Sequence, residues 1–99
     1  MEVVVKPYLF LRQALGAKEI NLDLPKETNV QELLKVLRLD YGLPENFKTA
    51  VGSLKLLDGD IPVGLLVLVN GHNIKQLQGL DTILADGDII SLFPPAAGG

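Results

Sequence analysis

The most distinctive chemistry in the chain lies in Phe93-Pro94-Pro95-Ala96-Ala97-Gly98-Gly99, a stretch that ends in two glycines and a carboxylate. A carboxylate is a poor electrophile, because its charge is spread over both oxygens. Transfer of AMP from ATP to one of those oxygens would create a good leaving group. A sulfur nucleophile would then leave a thiocarboxylate, and an amine would leave an amide. Such chemistry needs a carbon without steric cover. Glycine has no Cβ, so Gly98 and Gly99 suit a slot in which any other residue would collide. Ala96 and Ala97 keep the approach thin, and Pro94-Pro95 are expected to stiffen the base of the arm and hold it off the domain. The six residues beyond Phe93 extend at most about 20 Å. A frayed terminus accounts for the same residues without any function, so the remainder of the chain has to decide.

Nothing else in the sequence forms an active site of its own. The 99 residues include no cysteine, which excludes disulfides, thiolate metal sites and a catalytic thiol. Sulfur handled by this protein must therefore be attached elsewhere, and the terminal carboxyl is the obvious place. His72 has no second histidine to complete a metal set and reads as a turn residue. Asp58 and Asp60, like Asp86 and Asp88, flank a glycine and read as turns, since a calcium loop needs more oxygen ligands and a closing glutamate. No nucleophile–base pair or phosphate loop stands out. The expectation is a protein that binds no metal or cofactor by itself. A net charge of −3 with nine scattered basic residues argues against nucleic acid as a partner. The start, broken by Lys6 and Arg12, is unlike a signal peptide. The run Ile61 to Val69 is too short to span a membrane and contains Pro62 and Gly64. A soluble cytoplasmic protein with no membrane partner is expected.

Hydrophobic residues make up 47% of the chain, enough for one packed domain. Val3-Val4-Val5 predicts an opening strand, and Tyr8 to Leu15 one or two helical turns closed by Gly16. Glu19 to Leu24 alternates strictly and predicts a strand with one buried face. Val30, Leu33, Leu34 and Leu37 form one apolar stripe of a helix running to about Tyr41, with Asn29 and Glu32 placed as a capping box. The Leu65–Val69 run predicts a central strand ending in an Asn70-Gly71 turn. Asn73 to Leu84 reads as irregular with one helical turn, and Ile89 to Phe93 as a last strand stopped by the prolines. Leu33, Leu34, Leu37, Val67, Val69 and Ile90 are the expected core. Between Leu43 and Val63 only a turn at Asp58-Gly59-Asp60 and a short strand near Leu54–Leu57 are legible. The pattern is α+β, a sheet with one long helix packed across it.

With Val69-Asn70-Gly71, Leu84-Ala85-Asp86-Gly87-Asp88-Ile89-Ile90 and the Phe-Pro-Pro-x-x-Gly-Gly ending in place, the chain resembles the MoaD/ThiS family of ubiquitin-like sulfur carriers. Within that family it looks most like the small subunit of molybdopterin synthase, of archaeal type. The resemblance implies a β-grasp fold, with a mixed sheet over residues 1–93 and a flexible tail over residues 94–99. It implies that Gly99, preceded by Gly98, is adenylated by an E1-like adenylating enzyme that uses ATP, then converted to a thiocarboxylate. Sulfur would pass to cyclic pyranopterin monophosphate in a MoaE-like large subunit, with Phe93, Pro94, Pro95, Ala96 and Ala97 at the interface. The same carboxyl would serve tRNA thiolation, thiamin synthesis, or isopeptide attachment to lysines as an archaeal protein modifier.

Overall fold

The computed structural model describes residues 1–95, and apolar alternation lays down its main sheet. In chain order the elements are β1 (Glu2–Pro7), α1 (Phe10–Leu15), β2 (Ile20–Asp23), α2 (Val30–Asp40), β3 (Asn46–Thr49), β4 (Gly52–Lys55), β5 (Leu57–Asp58), β6 (Ile61–Pro62), β7 (Leu66–Val69), β8 (His72–Asn73) and β9 (Ile89–Phe93). Two 3-10 turns, Ile74–Gln76 and Gly79–Asp81, lie between β8 and β9, where one helical turn is expected from the sequence. The sheet order is β2-β1-β9-β7-β8. β9 runs parallel to β1 and antiparallel to β7, so the sheet is mixed. This is the expected α+β, β-grasp arrangement.

Asn29 sets the start of α2. Its side-chain oxygen accepts the Glu32 backbone N–H at 2.9 Å, and the Glu32 carboxylate accepts the Asn29 N–H at 3.4 Å. Two backbone donors that the first helical turn cannot satisfy are thereby satisfied. Val30, Leu33, Leu34 and Leu37 then fall on one face and are fully buried with Val3, Val5, Val67, Ile90 and Leu92. Burial of each such side chain stabilises the fold by about 1.5–3 kcal/mol. The helix ends at Asp40, with Tyr41 as its cap.

Two expectations change. The Leu65–Val69 run predicts a central strand, but β7 lies one place in from the sheet edge and alternates. Val67 and Val69 are buried, while Leu66 is exposed and Leu68 only half-buried. The physical reason is that α2 and the core cover one face of the sheet, so every second residue stays on the open side. The first helix begins at Phe10 rather than Tyr8, because Leu9 has φ 54° and cannot join a right-handed helix. The stretch from Leu43 to Val63 folds as two short hairpins, β3–β4 and β5–β6; the expected turn at Asp58-Gly59-Asp60 joins the second, and the strand expected near Leu54–Leu57 is divided between β4 and β5. Phe47 of β3 stacks on Phe10 of α1 with ring centroids 3.6 Å apart.

Because the capping box carries the start of the only long helix among the described residues, Asn29→Ala should cost about 1 kcal/mol. Circular dichroism should show a thermal midpoint lower by about 4–8 °C for a domain of this size. An unchanged midpoint would mean that the cap contributes nothing.

Candidate functional site

β9 carries the chain out of the middle of the sheet and is held from both sides as far as Leu92. Phe93 pairs with Leu66 of β7, and next to it the Leu92 carbonyl accepts the Tyr8 N–H at 3.0 Å. Strand alternation sends Ile90 and Leu92 into the core and leaves Ile89, Ser91 and Phe93 on the open face. There the Phe93 ring stacks on Tyr8, with centroids 4.4 Å apart and planes 5° from parallel. Such a pair is worth about 0.5–1.5 kcal/mol beyond its buried area. Arg12 reaches the Tyr8 ring, its guanidinium carbon 5.3 Å from the centroid, and its Nε donates to the Pro7 carbonyl at 3.2 Å. Leu66, Phe93 and Tyr8 thus form an apolar row across the edge from which the chain leaves.

The sequence presents its cations as scattered, yet the fold gathers three of them beside that row. Lys6, Arg12 and Lys18 line an open pocket of about 410 Å³ with Tyr8 and Glu19. Glu19 approaches Lys6 at 3.7 Å, and among the described residues no carboxylate lies within salt-bridge distance of Arg12 or Lys18. A local excess of positive charge therefore stands on a protein whose net charge is −3. Tyr8 lies before the helix that carries Arg12, so no helical spacing signalled their contact. No sequence signal tied Lys18 to them.

Leu9 makes this geometry possible at a cost. Its backbone turns the chain from β1 into α1 with φ 54° and ψ −135°, a region that favours glycine, while its side chain is 68% exposed. The bend leaves Tyr8 against Phe93 and starts α1 so that Leu11 and Leu15 reach the core.

Of the expected interface residues, Phe93 is half-buried, Pro94 buried and Pro95 half-buried. The expectation that the two prolines hold the arm off the domain is corrected: both pack against it. A strand that ends without an N–H donor still leaves a flat apolar ring, and the ring finds the nearest apolar surface. Ala96, Ala97, Gly98 and Gly99, with the expected carboxyl chemistry, lie outside the described residues. The aspartates serve turns and ties. Asp88 accepts from Asn70 Nδ2 at 2.9 Å and from the Ala85 N–H at 2.8 Å, Asp86 accepts from the Glu2 N–H at 2.7 Å, and Asp60 accepts from Arg38 at 2.9 Å. His72 opens β8, directly after the Asn70-Gly71 turn, in which both residues have positive φ. Among the described residues no cluster of three metal-ligating side chains occurs, and no helix is long and apolar enough to cross a membrane.

Residues 10–99 match the ThiS family. The chain belongs to that family. This ThiS-family protein is 30% identical to small archaeal modifier protein 3 of Haloferax volcanii over 99 residues, covering all of both chains. Its fold is similar to the solution structure of small archaeal modifier protein 1 from Methanosarcina acetivorans, at 33% identity and a TM-score of 0.72, covering 99% of this chain and 96% of the other. It is also similar in fold to a chain in the complex of subunits 1 and 2 of molybdopterin-converting factor from Helicobacter pylori. There the identity is 24% and the TM-score 0.59, with full coverage of both chains. The ThiS-family chain is therefore a ubiquitin-like protein of the sulfur-carrier and small archaeal modifier type.

The strain at Leu9 can be read directly. Leu9→Gly should stabilise the domain by about 1 kcal/mol, because glycine adopts this backbone without the clash and little side-chain packing is lost. Denaturant unfolding measures it. A loss of stability would show that the Leu9 side chain, not the bend, matters here.

Proposed function

We propose that this chain is a carrier whose Gly99 carboxylate is activated by an E1-like adenylating enzyme and then sulfurated, and that it serves as the small subunit of a molybdopterin synthase. In the first step a carboxylate oxygen attacks the α-phosphorus of ATP, and pyrophosphate leaves. In the second a sulfur nucleophile attacks the carbonyl carbon, the bond to AMP breaks, and the thiocarboxylate remains. A MoaE-like large subunit would then receive the tail and pass its sulfur to cyclic pyranopterin monophosphate. Gly98 keeps the slot narrow, Phe93, Pro95, Ala96 and Ala97 form the base and shaft that the partner grips, and the buried Pro94 anchors that base.

The observation that carries this reading is the position of Phe93. It ends the middle strand, paired with Leu66 of β7, stacked on Tyr8 and one residue past the last pair with β1, so the proposed reactive arm grows from a rigid point beside an apolar row. An arm of this kind delivers its end reproducibly into another protein, which is how a carrier without its own active site gains rate. The complex of the Helicobacter pylori converting-factor subunits supports a partner of the large-subunit kind for a protein of this fold. A second reading, attachment of Gly99 to lysines through an amide, is favoured by the modifier names of two relatives that this chain matches almost end to end. Both readings share the activated carboxyl.

The protein incubated with ATP, the activating enzyme encoded by the same genome and a sulfur donor should exchange one oxygen for one sulfur on Gly99, read by intact-mass and fragment spectrometry. Deleting Gly99 should abolish the change. Gly98→Ala should slow it and leave the melting temperature unaltered. Lysine adducts through Gly99 without any sulfur gain would favour the modifier reading, and neither product would refute both.

A further inference from the structure

Residues 43–63 carry no motif, yet they help to build the ground on which Pro95 rests. The Leu56 carbonyl accepts the N–H groups of Val63, Gly64 and Leu65 at 3.1, 3.1 and 3.2 Å, pinning the segment after β6 to the one before β5. Leu56 and Leu57 in turn donate to the Glu45 carbonyl at 2.7 and 3.2 Å. Arg38 of α2 reaches into the β5–β6 hairpin and gives Asp60 two bonds, at 2.9 and 3.2 Å. The hairpin is thus tied to the long helix as well as to its own ladder.

Gly64 lies at the tightest point of this assembly. A Cβ there would collide with the Lys55 carbonyl oxygen and would stand 3.5 Å from Cγ of Pro95. The Pro95 ring faces the place that a Cβ on Gly64 would take, and both residues line an open groove of about 310 Å³ whose walls include Val63, Leu66 and Ile74. Pro94 is buried, whereas Pro95 is half-exposed.

We propose that Gly64 and Pro95 form a seat that aims the tail, with Pro95 a positioning residue for activation of Gly99. This rests on the carrier reading and goes one step further. Proline already fixes its own φ near −65°. Packing of the ring beside Gly64 adds a second constraint, so the placement of the Pro95 ring, and with it the base of the tail, is set before any partner arrives. A partner then need not order that link on binding. Glycine at position 95 would restore the backbone freedom of about one residue, worth about tenfold in kcat/KM.

The test uses the full chain and Pro95→Gly. Gly64→Ala is the wrong probe, because its collision with the Lys55 main chain threatens the fold itself. Nuclear Overhauser cross-peaks between the Pro95 ring and Gly64 should be present in the wild type. The variant should melt within about 4 °C of it, as a surface substitution does. In sulfur transfer by the activating enzyme, kcat/KM should fall about tenfold through KM, with kcat retained, as expected for lost pre-organisation. Equal kcat/KM for the two chains, or no cross-peaks in the wild type, would overturn the seat while leaving the carrier reading intact. A wild type that never gains sulfur would overturn the carrier reading and the aiming role together, without any difference between the chains.

Discussion

The strand in the middle of the sheet is also the strand that must release the chain, and the rest of the structure answers to that constraint. β9 is hydrogen-bonded to β1 on one side and β7 on the other, and its inward residues Ile90 and Leu92 are fully buried. Pro94 and Pro95 have no N–H to continue the ladder. The pairing therefore stops at Phe93, at a point that cannot drift. The Tyr8 stack, the strained turn at Leu9 and Gly64 beside Pro95 all act close to that point. The helix contributes at a distance, by holding the sheet through Leu33, Leu34 and Leu37 and the hairpin through Arg38.

Much of this was legible where local rules act alone. The capping box at Asn29, the apolar stripe of α2, the turn at Asn70-Gly71 and the stop after Phe93 each follow from a few neighbouring residues. β7 misleads, because a continuous apolar run reads as covered on both faces when only one face is covered. Leu66 and Leu68 keep their apolar character on the open side, beside Phe93 and opposite Ser91 in the ladder. Leu9 was invisible because leucine gives no signal for positive φ. In residues 46–62 the turn at Asp58-Gly59-Asp60 was legible, but β3 was not, and the strand expected near Leu54–Leu57 is broken at Leu56, which donates to the Glu45 carbonyl.

The candidate site divides in the same way. The proposed reactive end rests on the sequence alone, on glycine's missing side chain. The cationic pocket could not, since Lys6, Arg12 and Lys18 come from β1, α1 and the loop before β2. A partner approaching the open face meets an apolar row with positive charge at one end, on a protein that is acidic as a whole. Charge so arranged orients an encounter more than it tightens it. The two proposed fates of the carboxyl, sulfur transfer and attachment to lysine, differ only in the nucleophile that follows adenylation. The domain described here is suited to the step they share.

That shared step is also where the account is most exposed to measurement. ATP–pyrophosphate exchange reads reversible adenylation of the carboxylate and is blind to whatever nucleophile comes next. With the activating enzyme present, the full chain should stimulate the exchange and the chain lacking Gly99 should not. Equal exchange with both chains, or none with either, would contradict the claim that this domain exists to present the Gly99 carboxylate.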